Sequence, residues 1–133
     1  MIALDTNVLV RLILHDDEAQ ARTAERLVVR ARREQTPLFV ADIVLCELVW
    51  VLKSRAGRSR LEIAEALDRL LRTELIVLAD AGVAERALGA YRAGKGDFAD
   101  YLIREQAMSA EASEVVTFDR QLKGEEHFRL IGV

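Results

Sequence analysis

The chain has 133 residues, of which 51% are hydrophobic and 31% charged, with a single proline, so one soluble globular domain with its own core is expected and a disordered or low-complexity chain is excluded. A formal charge of -3 argues against a purely electrostatic nucleic-acid binder, although divalent cations held by the acids would move that balance upward. Cys46 is the only cysteine, which excludes an internal disulfide and a Cys-rich zinc module and points to a reducing cytoplasm; the start lacks the basic leader of a signal peptide, and the most apolar stretch, 43–52, is too short to cross a bilayer.

In chain order, Ile2-Ala3-Leu4 is a short buried strand that runs through Asp5-Thr6-Asn7 into an apolar stretch, 8–14, interrupted by Arg11. Residues 17–35 repeat Ala21, Ala24, Leu27, Val28 and Ala31 at helical spacing behind Asp17, a helix-start residue. Pro37 ends that helix and opens a second strand, 38–41, after which Asp42 is placed to cap the next helix. That helix, 43–55, is apolar nearly all round and is expected in the interior. Gly57 breaks it, and Ser59-Arg60-Leu61-Glu62 is a capping box for a helix carrying Leu61, Ala64, Leu67, Leu70 and Leu71. A third strand, 75–78, leads to a helix started by Asp80 and closed by Gly94-Lys95-Gly96. Asp97 starts another; 115–118 is a fourth strand and 130–133 a short fifth. Short apolar strands alternating with amphipathic helices predict an α/β fold, a three-layer α/β/α sandwich around a mostly parallel sheet of about five strands, as a single domain over 1–133. In such folds the site lies beyond the carboxyl ends of the strands.

Acids stand at those ends. Asp5 follows strand one, Asp97 and Asp100 open a helix on one side of it, and Asp119 lies just past strand four. Each alone reads as a cap or turn residue; jointly they read as a site. Glu47 is the sharpest anomaly, a carboxylate in an otherwise apolar helix, and if buried it needs a partner, either a basic side chain such as Lys53 or a shared cation. Carboxylates sharing a pocket require neutralising cations, and oxygen-only ligands select Mg²⁺ or Mn²⁺, one or two ions, which suits hydrolysis of a phosphodiester.

Other chemistries fit less well. His15 and His127 are isolated and read as surface residues, Cys46 reads as an inert thiol, and no nucleotide-cradling glycine loop is present. Lys53, Arg55, Arg58 and Arg60 crowd the turn after the Glu47 helix and could meet a phosphate backbone, whereas Arg30, Arg32 and Arg33 read as solvated surface. Seven aromatic residues are too few to suggest a base-stacking platform.

Four segments in order, residues 1–10 with Asp5-Thr6-Asn7, Glu47-Leu48-Val49-Trp50-Val51-Leu52, Asp97-Phe98-Ala99-Asp100-Tyr101, and Val116-Thr117-Phe118-Asp119, give a chain that resembles the PIN-domain ribonucleases, specifically VapC-type toxins of toxin-antitoxin pairs. The resemblance implies that Asp5, Glu47 and Asp100 form the metal-binding acidic core, that Asp119 is a more variable fourth acid, and that Asp97 supports them or binds a second metal. It also implies that Thr6, Asn7 and Thr117 orient water or carboxylates. A homodimer, an RNA substrate and an inhibiting antitoxin are implied too, with no membrane segment. Tyr101 stands where a small residue is commoner. A catalytically silent PIN-like interaction module is the alternative, disfavoured by the intact acids, and a phosphatase or phospho-receiver lacks its expected second acid and lysine.

Overall fold

A computed structural model describes residues 1–132, and the chain divides into two compact units, Met1–Ala79 and Asp80–Val133.

In the first unit β1 (Ile2–Ala3), β2 (Leu38–Val40) and β3 (Ile76–Leu78) form a parallel sheet in the order β1-β2-β3, with Ile2 opposite Leu38 and Leu38 opposite Ile76. Pro37 precedes β2 and uses the one backbone group proline keeps, its carbonyl, to accept from Ile2 N at 2.9 Å. Helices α1 (Thr6–Leu14) and α2 (Glu18–Glu34) connect β1 to β2, and α3 (Asp42–Ser54) and α4 (Arg60–Arg72) connect β2 to β3. Leu9, Leu38, Val40, Leu45, Leu48, Leu52, Ile63 and Leu67 are buried. Each such side chain contributes roughly 1.5–3 kcal/mol.

Helix starts follow local chemistry. Asp17 Oδ1 accepts from Gln20 N at 3.0 Å, and Ser59 and Glu62 exchange bonds of 3.1 and 2.9 Å in a complete capping box. The cap of α3 is Ala41 rather than the expected Asp42, which instead occupies the first turn, where its charge complements the helix dipole. Helix ends carry less signal: His15 and Gln35 close α1 and α2 in left-handed backbone (φ 53°) without glycine.

Ser59→Ala is expected to cost about 1 kcal/mol of unfolding free energy in urea titration. The box holds the Glu62 carboxyl below its ordinary range, chiefly through the Ser59 amide and then its hydroxyl. That contribution is complete above the unfolded pKa and is lost as pH falls through the lowered folded value. A Glu62→Gln protein should therefore differ most from wild type at neutral pH and converge with it in acid.

The expectation that α3 is interior on all sides is corrected. Ile43, Glu47 and Trp50, spaced for one helical face, are exposed, while Val44, Leu45, Leu48, Val49 and Leu52 supply the buried face. Two of the three outward residues are apolar, which is why hydropathy alone hid the face.

The second unit holds α5 (Ala81–Ala93), α6 (Phe98–Ser109), β4 (Val115–Thr117), a 3₁₀ turn (Arg120–Leu122) and β5 (Phe128–Leu130). Asp80 caps α5 through a 3.1 Å bond from Val83 N. Tyr91 meets Phe98 edge to face at 6.1 Å between α5 and α6. β4 and β5 pair in parallel as a separate two-stranded sheet, so among the described residues the strands number five but their pairings fall into two sets. β5 lies earlier than the expected 130–133. Phe128 packs on Tyr101 and Arg129 points out to Glu114 at 2.7 Å, an alternation the apolar run concealed, and Gly132 (φ 71°) turns the chain away. Residue 133 of that expected strand lies outside the described residues.

Between α5 and α6 the Gly94-Lys95-Gly96 turn closes on Tyr101. A Cβ at Gly94 would land on the Tyr101 hydroxyl, and one at Gly96 would meet Leu122 at 2.5 Å. The Gly96 amide donates to Tyr101 Oη at 2.9 Å, and that hydroxyl donates to Glu125 Oε2 at 2.5 Å. Arg104 lies over the Tyr101 and Phe128 rings at 5.2 and 5.7 Å, with Nε on Glu105 at 3.0 Å.

Candidate active site

In the first unit, β1 delivers Leu4 to the core, and Leu4 N donates to Phe39 O at 2.9 Å, so Asp5 emerges just beyond the carboxyl end of the strand. Asp5 caps α1, its Oδ1 accepting from Thr6 N at 2.8 Å. Thr6 is 6% exposed, and its hydroxyl donates to Glu47 Oε1 at 3.2 Å. Thus Thr6 joins the two carboxylate positions, one at the start of α1 and one in the middle of α3. Glu47 is not the buried, unpartnered acid its apolar neighbours suggested: it is exposed, and this hydroxyl is its partner. Asn7, also exposed, lines a cleft of about 340 Å³ with Arg11, Asp16, Arg55 and Arg58.

In the second unit Asp97 caps α6, and its amide donates to Asp100 Oδ2 at 2.9 Å. Thr117 Oγ1 accepts from Asp119 N at 3.0 Å, and Asp119 Oδ1 accepts from Gln121 N at 2.9 Å, which fixes the chain past β4. Burial raises the Asp100 carboxyl above its ordinary range; the Asp97 amide opposes this, and the charges of Asp97, Asp119 and Glu125 add to it. Three acids therefore act on Asp100 within this unit, and a cation would relieve that repulsion. The donors are carboxylate oxygens alone, the set a hard divalent ion prefers. Among the described residues no group of three or more His, Cys, Asp or Glu side chains is gathered tightly enough to hold a metal ion, so neither unit carries a closed cage.

Of the basic residues, Lys53 lies in the last turn of α3, Arg55 is its C-cap, Arg58 pairs with Glu62 at 3.7 Å, and Arg60 is the first residue of α4. Sequence reasoning missed Arg11 as a companion to Arg55 and Arg58; the signal was a lone charge inside the apolar stretch 8–14. It also missed Glu125, which no motif marks. Burial first, then the Asp42 charge, pushes the half-buried Cys46 thiol up, so it is no activated nucleophile. His15 and His127 are exposed, 3.4 Å from Glu25 and Glu126.

The family model of the PIN domain matches residues 2–124. The chain is also 30% identical over 123 residues to a VapC ribonuclease of Aquifex aeolicus (strain VF5), covering 92% of this chain and 90% of that protein. The chain belongs to the PIN-domain family.

Proposed function

We propose that the protein is a divalent-metal-dependent endoribonuclease, the toxin of a VapBC-type toxin-antitoxin pair, working as a single PIN domain. The observation that carries this reading is the Asp5–Thr6–Glu47 arrangement beyond the carboxyl end of β1, in a chain whose likeness to a VapC ribonuclease is nearly end to end. Asp5, Glu47, Asp100 and Asp119, with Asp97, would hold one or two Mg²⁺ or Mn²⁺ ions. Bound there, the metal supplies an activated water and shields charge on the scissile phosphate. Thr6 holds the Glu47 carboxylate through its hydroxyl, the Asp97 amide holds that of Asp100, and Thr117 fixes the Asp119 backbone. Asn7, two residues after Asp5, would orient water or a carboxylate through hydrogen bonds.

RNA and a cognate antitoxin are the partners this reading requires, a homodimer is the assembly it favours, and the cytoplasm is its compartment. No described helix is long and apolar enough to cross a membrane. Thermal unfolding in Mn²⁺, Mg²⁺ or EDTA tests the metal without knowledge of the RNA. At about 100 times its dissociation constant a bound ion adds roughly 2.7 kcal/mol. Wild type should show that shift and Asp100→Asn should lose most of it. No shift in either protein would favour a silent interaction module.

A further inference from the structure

The outward face of α3 carries an aromatic ring that the proposed chemistry does not use. Trp50 is 58% exposed and lies three residues beyond Glu47 on the same helical face, about 4.5 Å further along the axis. Arg55, the C-cap of that helix, places its guanidinium carbon 5.6 Å from the Trp50 ring centroid. One ring face is thus covered by a cation while most of the indole stays in solvent. Arg55 makes no ion pair among the described residues, so its charge remains available. Arg55 also reaches the cleft lined by Asn7, Arg11, Asp16 and Arg58, where Arg11 pairs with Asp16 and Arg58 with Glu62, so three arginines against one lining acid join the stacked pair to a groove that Asn7, two residues after Asp5, also lines.

A planar apolar surface backed by a guanidinium and continuous with a basic groove has the chemistry of a nucleotide subsite: the base stacks and the phosphate meets arginine. A duplex keeps its bases stacked on one another, so only an unpaired nucleotide can use such a ring. We propose that Trp50 and Arg55 form a stacking subsite for one unpaired base of the RNA, next to the phosphate handled at Glu47. This rests on the ribonuclease reading above. The aromatic count had argued against a stacking platform; one well-placed ring is sufficient for one base.

Trp50 is the only tryptophan, so its emission reports directly on the site. The test titrates the Asp100→Asn protein, in Mg²⁺, with a short, unstructured, end-labelled oligoribonucleotide, following probe anisotropy and tryptophan emission together. Emission should be quenched along the same curve as the rise in anisotropy. Trp50→Ala, added to that background, should bind about 5- to 150-fold more weakly, while Trp50→Phe stays near the parent. Arg55→Gln should weaken binding across sequences and lower the salt slope by about one. A rise in anisotropy without quenching, with Trp50→Ala unchanged, overturns the subsite and leaves the ribonuclease reading standing. No rise at all overturns the subsite, and the ribonuclease reading falls with it where wild type in Mg²⁺ also leaves the RNA uncleaved. Emission that changes with protein concentration alone, together with a sedimentation dimer that Trp50→Ala turns into a monomer, assigns the face to a second copy of the chain and overturns the subsite as well.

Discussion

Asp100→Asn is expected to lower RNA cleavage roughly 10³-fold or more, the equivalent of several kcal/mol of lost metal-assisted stabilisation of the transition state. The same substitution should leave the fold intact. Asparagine keeps a carbonyl oxygen able to accept from the Asp97 amide, so the opening turn of α6 retains its bond. It also removes a carboxylate whose folded pKa is raised, first by burial and then by neighbouring acids. A raised carboxyl disfavours the native state once ionised, so stability is gained as pH falls through its folded value and lost as pH rises through it. Without metal, Asp100→Asn should thus equal or exceed wild type in thermal stability at neutral pH, and that advantage should shrink in acid. Cleavage assays beside metal-free melting curves check both halves. A variant that loses activity only because it unfolds would contradict the assignment of Asp100 as a metal ligand.

Tyr101→Ala should produce the largest loss of stability, about 3–5 kcal/mol, the range for deleting a fully buried aromatic ring. Tyr101 is 0% exposed, and its removal strips Phe128 of its edge contact and Arg104 of the ring beneath its guanidinium. It also leaves the Gly96 amide and the Glu125 carboxylate without their shared hydroxyl. Tyr101→Phe separates the two contributions. It keeps the ring and loses only the hydroxyl, at a cost of about 1–3 kcal/mol for the bonds lost to the Gly96 amide and the Glu125 carboxylate. Urea titration of the two variants measures the difference. If Tyr101→Ala proves no worse than Tyr101→Phe, the ring packing is not what holds the turn before Asp97.

Much of the first-order architecture was legible because helix starts are written in single residues. Asp17, Ser59, Asp80 and Asp97 each cap the helix they were expected to start, because each offers an oxygen to amides that would otherwise go unbonded. Failures came where the deciding contact is remote. Ala41 caps α3 without any side-chain bond. The start of β5 is set by Phe128 packing on Tyr101, a partner 27 positions earlier in the chain that no local pattern announces. The acids of the site were named from spacing and from family resemblance, and Thr6 was named with them, but its bond to Glu47 spans 41 positions and only coordinates reveal it. The exposure of Glu47 was misjudged because two of the three residues on its face are apolar; solvent exposure there belongs to the face and not to the hydropathy of the run.

The placement of the aromatic residues gives the two units separate optical signatures. The single tryptophan stands on the surface of the first unit, so its emission is already that of a largely hydrated indole, and unfolding should change its intensity more than its wavelength. Both tyrosines, Tyr91 and Tyr101, lie in the core of the second unit, 3% and 0% exposed. Their near-ultraviolet circular dichroism should vanish when that core opens. Following tryptophan intensity and tyrosine dichroism through one denaturant series therefore asks whether the halves unfold in one cooperative step: coincident transitions mean that they do, and separated ones reveal an intermediate with one half intact.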